Sequence, residues 1–208
     1  MELTEIRQPK ILAFSGSLRA QSYNKKILDV AARGVEAAGG TVTLVDLADY
    51  PMPIYNVDDH EENGFDAHAF RLQELVVAHD GFLIASPSYN GSLTAALKNM
   101  IDWMSRPNEQ HAKADIFRGK GAAILTASPG SFGGVRMLAH LRDVLTSVGV
   151  YVHPTGIAVT FVDKKLDDAG QLQDAQMEDT LLGVGRSLVE MIAQLNHHPQ
   201  RLAAVNGR

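Results

Sequence analysis

The segment from Ser15 to Asn24 carries side chains that suit a bound anion. It follows a short apolar run and precedes a helical pattern, so backbone N–H groups and the positive end of the helix dipole face this segment. Ser17 and Ser22 offer hydroxyl groups, and Asn24 offers an amide. Arg19 adds a guanidinium fork that matches phosphate oxygens. These residues predict a phosphate site, although Ser22 as a plain helix cap and Arg19 as a solvated side chain remain equally good explanations.

Two later segments contain residues that suit a flat aromatic ligand. Residues 86–92 include Tyr89, whose ring and hydroxyl suit packing against an aromatic edge. An ordinary surface tyrosine is the alternative for Tyr89. Residues 128–134 include Gly130, Gly133 and Gly134, which allow the backbone to approach a planar ring without an intervening Cβ.

Five short apolar runs alternate with stretches of helical period, which is typical of parallel strands joined by crossover helices. The predicted strands are 11–14, 41–46, 81–86, 122–127 and 150–160. This alternation predicts an α/β fold, a flavodoxin-like doubly wound five-stranded parallel sheet of order 2-1-3-4-5 in a three-layer αβα arrangement. Ligands bind beyond the carboxyl ends of such strands, which brings the three polar segments into one crevice. The acidic, proline-containing stretch 51–64 is predicted to be a mobile or lid-like loop.

Length and charge limit the number of domains and the kinds of partner that the sequence predicts. The 208 residues fit one domain, predicted over 1–195, with a C-terminal extension over 196–208 that is weakly ordered unless it docks on a partner. The formal net charge of -5 offers no general attraction for nucleic acid or anionic membranes. A polar start and the lack of a long apolar run predict a cytoplasmic protein that does not span a membrane.

The absence of cysteine excludes several chemistries at once. Disulfides, thiolate nucleophiles and the common structural zinc sites all require that residue. The acidic run 58–63 lacks the ligand spacing of a calcium loop, so no metal site is predicted. Any chemistry in this chain must therefore use groups other than thiols.

Three motifs resemble those of the NADPH-dependent FMN reductases, a flavodoxin-like family that includes bacterial quinone, azo-dye and chromate reductases. The motifs are GSLRAQSYNKKI at 16–27, SPSYNGSLTAALKNMIDW at 86–103 and SPGSFGGVR at 128–136. Each lies in one of the three predicted crevice segments, and the resemblance extends to about Leu195. Two positions depart from the family pattern, because Ser88 stands where glutamate is usual and Thr94 stands where proline is usual.

The resemblance implies an FMN site made by all three segments. The first holds the phosphate, the second lines the isoalloxazine ring and the third approaches its pyrimidine side. The implied residues are Ser17, Leu18, Arg19, Ser22, Tyr23 and Asn24, then Pro87, Ser88, Tyr89 and Asn90, and finally Ser128, Gly130 and Gly133. No side chain is implied as an obligate acid or base, because FMN carries the chemistry. Trp103 and Met104 continue an apolar helix stripe and are predicted to lie in the core or a subunit interface.

The activity implied by the resemblance is a ping-pong transfer of hydride from NADPH or NADH to FMN and then to a quinone. Azo compounds, chromate and free flavin are further candidate acceptors, and a homodimer or homotetramer is implied. The main alternative is a flavodoxin-type electron carrier that serves a protein partner, which the modest net charge and Arg19 disfavour. A phosphate-binding or regulatory module without FMN is a third possibility.

Overall fold

A parallel sheet lies between two layers of helices in the computed structural model, which describes residues 7–111, 116–167 and 169–196. The strands are β1 (Lys10–Ser15), β2 (Thr41–Asp46), β3 (Gly81–Ala85), β4 (Gly121–Ala127), β5 (Tyr151–Val152) and β6 (Ile157–Val159). The helices are α1 (Tyr23–Ala37), α2 (Val57–Asn63), α3 (Ala67–Ala78), α4 (Ala95–Met104), α5 (Val135–Ser147) and α6 (Ala175–Asn196). The sheet order is β2-β1-β3-β4-β5, with β6 also paired to β4, which confirms the predicted flavodoxin-like order. Apart from Asn196, the predicted C-terminal extension lies outside the described residues.

The central strands β1, β3 and β4 bury both faces, which explains their continuous apolar runs. Ile11 and Ala13 of β1 pack in the cluster that includes α1 and α6. Leu12 and Phe14 point the other way, toward α3, α4 and α5. This alternation follows from the two-residue side-chain period of a strand. Trp103 is buried in the same cluster as Leu12 and Phe14, which agrees with the core position that the sequence predicts as one of two alternatives.

The fifth strand is interrupted, in contrast to the continuous strand predicted over 150–160. β5 pairs with the start of β4, and β6 pairs with its end. Pro154 lies between them and has no N–H to donate to the ladder. The guanidinium of Arg142 donates to the carbonyl groups of Val152 (3.1 Å), His153 (2.9 Å) and Pro154 (3.1 Å). These three carbonyl groups between β5 and β6 therefore have hydrogen-bond donors although the ladder is interrupted there.

The acidic stretch predicted as a loop contains helix α2. Asn56 caps its first turn by accepting the backbone N–H of Asp58 at 3.1 Å, and the helix ends at Gly64, whose φ is +81°. His60 of α2 packs against the Trp103 ring, with centroids 5.7 Å apart. The prediction of a loop throughout 51–64 is therefore wrong, because capping and aromatic contacts order part of it.

Lys120 lies at the amino-terminal edge of the sheet, opposite the predicted crevice. Its ammonium group donates to the carbonyl groups of Val77, at 3.2 Å, and His79 at the end of α3. Burial lowers its pKa from 10.5 to about 8, and the nearby carboxylate of Asp80 opposes that shift.

We expect this lowered pKa to make stability depend on pH. Above about pH 8 the folded protein releases the Lys120 proton while the unfolded chain keeps it up to about 10.5, so the free energy of unfolding rises with pH in this window. Urea unfolding of wild type and Lys120→Met from about pH 7 to about pH 10 isolates the effect, because other groups titrate equally in both. A stability difference that stays constant over that range contradicts the prediction.

Candidate functional site

Three loops meet at the carboxyl-terminal edge of the sheet, where β1, β3 and β4 end side by side. We refer to residues 15–24 as the first loop, 86–94 as the second loop and 128–134 as the third loop. Backbone hydrogen bonds join their beginnings. Gly16 donates to the carbonyl of Ala85 at 2.9 Å, and Ser86 donates to the carbonyl of Leu125 at 3.0 Å. The fold therefore places all three motifs in one crevice.

The first loop is rigid at its base and exposed at its tip. Ser17 is buried, accepts the backbone N–H of Arg19 at 3.4 Å, and donates its own N–H to the Ser15 hydroxyl at 3.2 Å. Ser22 is buried as the N-cap of α1 and accepts the N–H of Asn24. The Arg19 side chain is exposed and forms no ion pair within the part of the chain that the structure describes. A free cation above a capped helix start suits a phosphate group.

The flanking residues of the first loop differ in exposure. Leu18 is 54% exposed beside Arg19, and Tyr23 is half-buried at the start of α1. The ammonium group of Lys25 contacts the carboxylate of Asp46 at 2.5 Å, which joins α1 to the end of β2. Burial alone would raise the pKa of Asp46, but hydrogen bonds from Lys25 and from the Ala48 N–H outweigh it and lower the pKa.

The Asn24 side chain bonds to the end of β4. Its Nδ2 donates to the carbonyl of Ala127 at 3.1 Å, and its Oδ1 accepts the N–H of the same residue at 2.9 Å. The side chain is buried and joins the start of α1 to the end of β4. These bonds position the first loop, and a contact of Asn24 with a phosphate stays a prediction.

The second loop makes a tight turn at its centre. Tyr89 and Ser92 exchange backbone hydrogen bonds at 3.0 and 3.1 Å. Asn90 and Gly91 between them have φ values of +53° and +86°, the pair of left-handed residues that a type I′ turn requires. Pro87 and Ser88 are half-buried, whereas Tyr89 is 51% exposed. The turn therefore leaves the Tyr89 side chain half exposed at this edge of the sheet.

The third loop forms one wall of a cavity of about 260 Å³. Its lining residues are Ser88, Gly91, Ser128, Gly130, Phe132, Gly134, Val135 and Arg136. The Ser128 hydroxyl accepts the N–H of Gly130 at 3.1 Å. Among the described residues, only that hydroxyl oxygen, at 3.5 Å, comes within 4 Å of a Cβ added to Gly130, its chain neighbours aside. Gly133 and Gly134 have φ values of +57° and +90°, which favour glycine. Gly130 is exposed and Gly134 is half-buried beside the cavity, whereas Gly133 is buried against Ala158 and Thr160.

Two observations near this cavity fit a flat, polar cofactor. Gly134, the N-cap of helix α5, offers no side-chain cap, and the N–H groups of Val135 and Met137 bond instead to the carbonyls of Phe132 and Gly134. The hydroxyl of Thr126 is buried next to Gly134 and has no partner among the described residues. Buried hydroxyls are normally paired, so this one suits a ligand that brings an acceptor atom. Together with the free Arg19, these features fit a flavin with a phosphate tail.

Some residues of the site were not among the sequence predictions. Phe132 is 71% exposed at the mouth of the cavity, and the Arg136 guanidinium lies 5.6 Å from the centre of its ring. Thr94 is buried at the end of the second loop and bonds to the first. A lone phenylalanine between glycines was the available signal for Phe132. No sequence signal reveals the partner of Thr94.

Other polar side chains of α4 have structural partners. The Asn99 amide accepts the N–H of Tyr55 at 2.8 Å and donates to the carbonyl of Pro53 at 2.9 Å. Lys98 and Asp102 form an ion pair along α4. Across residues 7–111, 116–167 and 169–196, we find no group of three potential metal ligands. None of the helices in those ranges is both long and apolar enough to cross a bilayer.

Comparison with known proteins agrees with this geometry. The family model of NADPH-dependent FMN reductases matches residues 9–163, which include all three loops. An NAD(P)H-dependent FMN reductase of Pseudomonas aeruginosa is 39% identical over 175 residues, covering 83% of this chain and 89% of the relative. A quinone reductase of Escherichia coli is 31% identical over 188 residues, covering 89% and 96%.

A solved structure agrees in fold. The flavoenzyme FerB of Paracoccus denitrificans, an NAD(P)H:(acceptor) oxidoreductase, superposes with a TM-score of 0.75 at 26% identity. The match covers 89% of this chain and 98% of FerB. An azoreductase of Bacillus anthracis, at 18% identity and a TM-score of 0.55, shares the fold.

Proposed function

Because the chain belongs to the NADPH-dependent FMN reductase family, we propose that it passes hydride from NADPH, through bound FMN, to a quinone or similar small acceptor in a ping-pong sequence. The observation that carries this proposal is that two features lie at the same edge of the sheet. One is an exposed Arg19 that forms no ion pair within the described residues, and the other is a cavity lined in part by Gly91, Gly130 and Gly134. When bound, FMN supplies the redox chemistry, which requires no thiol and no metal from the protein. The chain is accordingly an oxidoreductase that uses FMN and NAD(P)H.

We assign the phosphate of FMN to the first loop. Arg19 supplies a fork of N–H donors, and the start of α1 supplies the favourable end of a helix dipole. Ser17 and Ser22 shape the loop through their own hydrogen bonds. Leu18 and Tyr23 flank the phosphate.

We assign the isoalloxazine ring to the cavity between the second and third loops. Pro87, Ser88, Tyr89 and Asn90 would line the ring. Ser128, Gly130 and Gly133 would hold its pyrimidine side, where a glycine has no Cβ to keep the backbone away. The start of α5 borders this cavity, and the positive end of its helix dipole would stabilise negative charge on a reduced ring.

The shape of the site supports small planar acceptors. The cavity is open, and Phe132 presents an exposed aromatic face at its mouth. A nicotinamide and a quinone are both flat, so one stacking place serves each in turn, as a ping-pong sequence requires. Azo compounds, chromate and free flavin are further acceptors on this proposal.

We also propose that the protein forms a homodimer or homotetramer. Large apolar side chains remain exposed around the crevice in the single chain, among them Leu18, Ile54 and Val135. Exposed apolar patches commonly mark interaction sites. Light scattering on the purified protein measures the number of subunits, and a monomer at all concentrations contradicts the proposal.

Separate half-reactions test the proposed activity. We expect anaerobic NADPH to bleach the visible absorbance of the bound flavin, and a quinone added after removal of the nicotinamide to restore it. Steady-state double-reciprocal plots should then give parallel lines.

A flavin that NADPH fails to bleach contradicts the reductase proposal and favours the electron carrier. Converging lines combined with normal bleaching contradict only the ping-pong order. Purified protein that neither carries nor binds FMN overturns the proposal as a whole.

A further inference from the structure

Thr94 forms hydrogen bonds with two different parts of the chain through one hydroxyl group. As the N-cap of α4, its Oγ1 accepts the backbone N–H of Leu97 at 3.2 Å. The same hydroxyl donates to the carbonyl of Gly16 at 2.6 Å. Thr94 is only 2% exposed, so water does not replace either bond readily. The hydroxyl thereby joins the start of α4 to the first loop.

Gly16 is the point at which the first loop leaves β1. Its N–H is bonded to Ala85 at the end of β3, and its carbonyl is bonded to Thr94. A Cβ added to Gly16 would lie 2.9 Å from the Cβ of Ser86 and 3.1 Å from that of Leu97, so neighbouring side chains enclose this residue. The path of the chain from Ser17 to Ser22 therefore depends on the two hydrogen bonds that fix the backbone of Gly16.

We propose that Thr94 is a positioning residue for the phosphate of FMN and acts through Gly16. Without the hydroxyl, the carbonyl of Gly16 loses its partner in a buried setting, and a buried acceptor without a partner is costly. The first loop relieves that cost by shifting, which displaces Ser17 and Arg19 from the arrangement that suits a phosphate. This inference rests on the proposed FMN-binding function of the first loop.

Riboflavin separates this role from general packing, because it carries the same ring as FMN without the phosphate. We expect Thr94→Val, which keeps the shape and removes the hydroxyl, to weaken FMN binding to the flavin-free protein about tenfold. Riboflavin binding should change little. Thr94→Ser keeps the hydroxyl and should restore the FMN-to-riboflavin affinity ratio to near the wild-type value.

Flavin fluorescence titrations measure both affinities, and thermal unfolding without flavin reports on stability. A purely structural role lowers the unfolding temperature and leaves the affinity ratio of the folded protein unchanged. Thr94→Ala provides a second variant without the hydroxyl if Thr94→Val does not fold.

The outcomes separate this inference from the proposed function. Wild-type protein that binds FMN and riboflavin equally tightly contradicts the phosphate site itself. If wild type binds FMN more tightly than riboflavin and Thr94→Val has the same affinity ratio, only the role of Thr94 is overturned. An equal loss of preference in Thr94→Ser and Thr94→Val also overturns it, because the serine hydroxyl would then make no difference.

Discussion

Replacement of Gly185 by alanine is expected to lower the free energy of unfolding by about 3 kcal/mol, the upper part of the usual range for overpacked cores. Gly185 lies in α6 where that helix crosses α1. An added Cβ would lie 2.5 Å from the backbone nitrogen of Val35 and closer still to the carbonyl oxygen of Ala31. Both are main-chain atoms of α1, which cannot rotate aside as a side chain can, so the two helices must separate.

The crossing is close from both sides. A Cβ added to Gly34 of α1 would lie 2.8 Å from the Cα of Leu182 and closer still to its carbonyl oxygen. Separation of the helices would also loosen the apolar contacts of Leu181, Val184 and Leu188, which are buried in the same cluster. Lost packing therefore adds to the direct clash.

Gly183 is the matched control, two residues away in the same helix. The nearest heavy atom to a Cβ at this position is Nη2 of Arg186 at 3.6 Å, which is ordinary contact distance. Alanine is the better helix former by about 1 kcal/mol, so Gly183→Ala should raise stability slightly. Urea unfolding of both variants without flavin gives the comparison, since bound ligand would add its own stabilisation. Equal effects of the two substitutions would contradict the proposed close crossing.

The helix crossing illustrates what the sequence leaves open. Apolar periodicity predicts the inward stripe of α6, but a glycine within that pattern indicates only a weaker helix. The distance between two packed helices depends on which residues face each other. That pairing arises from the fold rather than from local preference.

The strands and the order of the sheet were predictable because each depends on a local pattern. Buried parallel strands require uninterrupted apolar runs, and alternation with helices leaves few possible topologies. The break in the fifth strand was visible in Pro154, which has no N–H to donate to the ladder with β4. The start of α2 was likewise visible in Asn56 followed by acidic residues.

The site was predictable as three loops and not as a set of contacts. The motifs place Ser17, Arg19 and Ser128 at one edge of the sheet because parallel strands end together. Asn24 suits an anion by residue type, yet its amide is bonded to Ala127 across more than a hundred residues of sequence. Donors and acceptors identify what a side chain is able to bind. The partner that it finds depends on the packing of distant segments.

Replacement of Arg19 by alanine is expected to weaken FMN binding roughly 10- to 150-fold, which corresponds to the loss of about 1.5–3 kcal/mol from hydrogen bonds to a charged group. Its side chain is exposed and unpaired in the described structure, so its removal breaks no internal contact that would unfold the loop. Arg19→Lys keeps the charge and loses the planar fork, so its affinity for FMN should be intermediate.

The matched control for Arg19 is Arg118, an exposed arginine that contacts Gly149 at the opposite edge of the sheet. Arg118→Ala lowers the net charge by the same amount, so it reveals any contribution from the overall field of the protein. Fluorescence titrations with FMN at several salt concentrations should show that the Arg19 variant loses affinity and also part of the salt dependence. Riboflavin should bind all these proteins alike, since it has no phosphate for Arg19 to contact. Equal losses of FMN affinity in the Arg19 and Arg118 variants would place the effect in net charge, and the first loop would no longer be supported as the phosphate site.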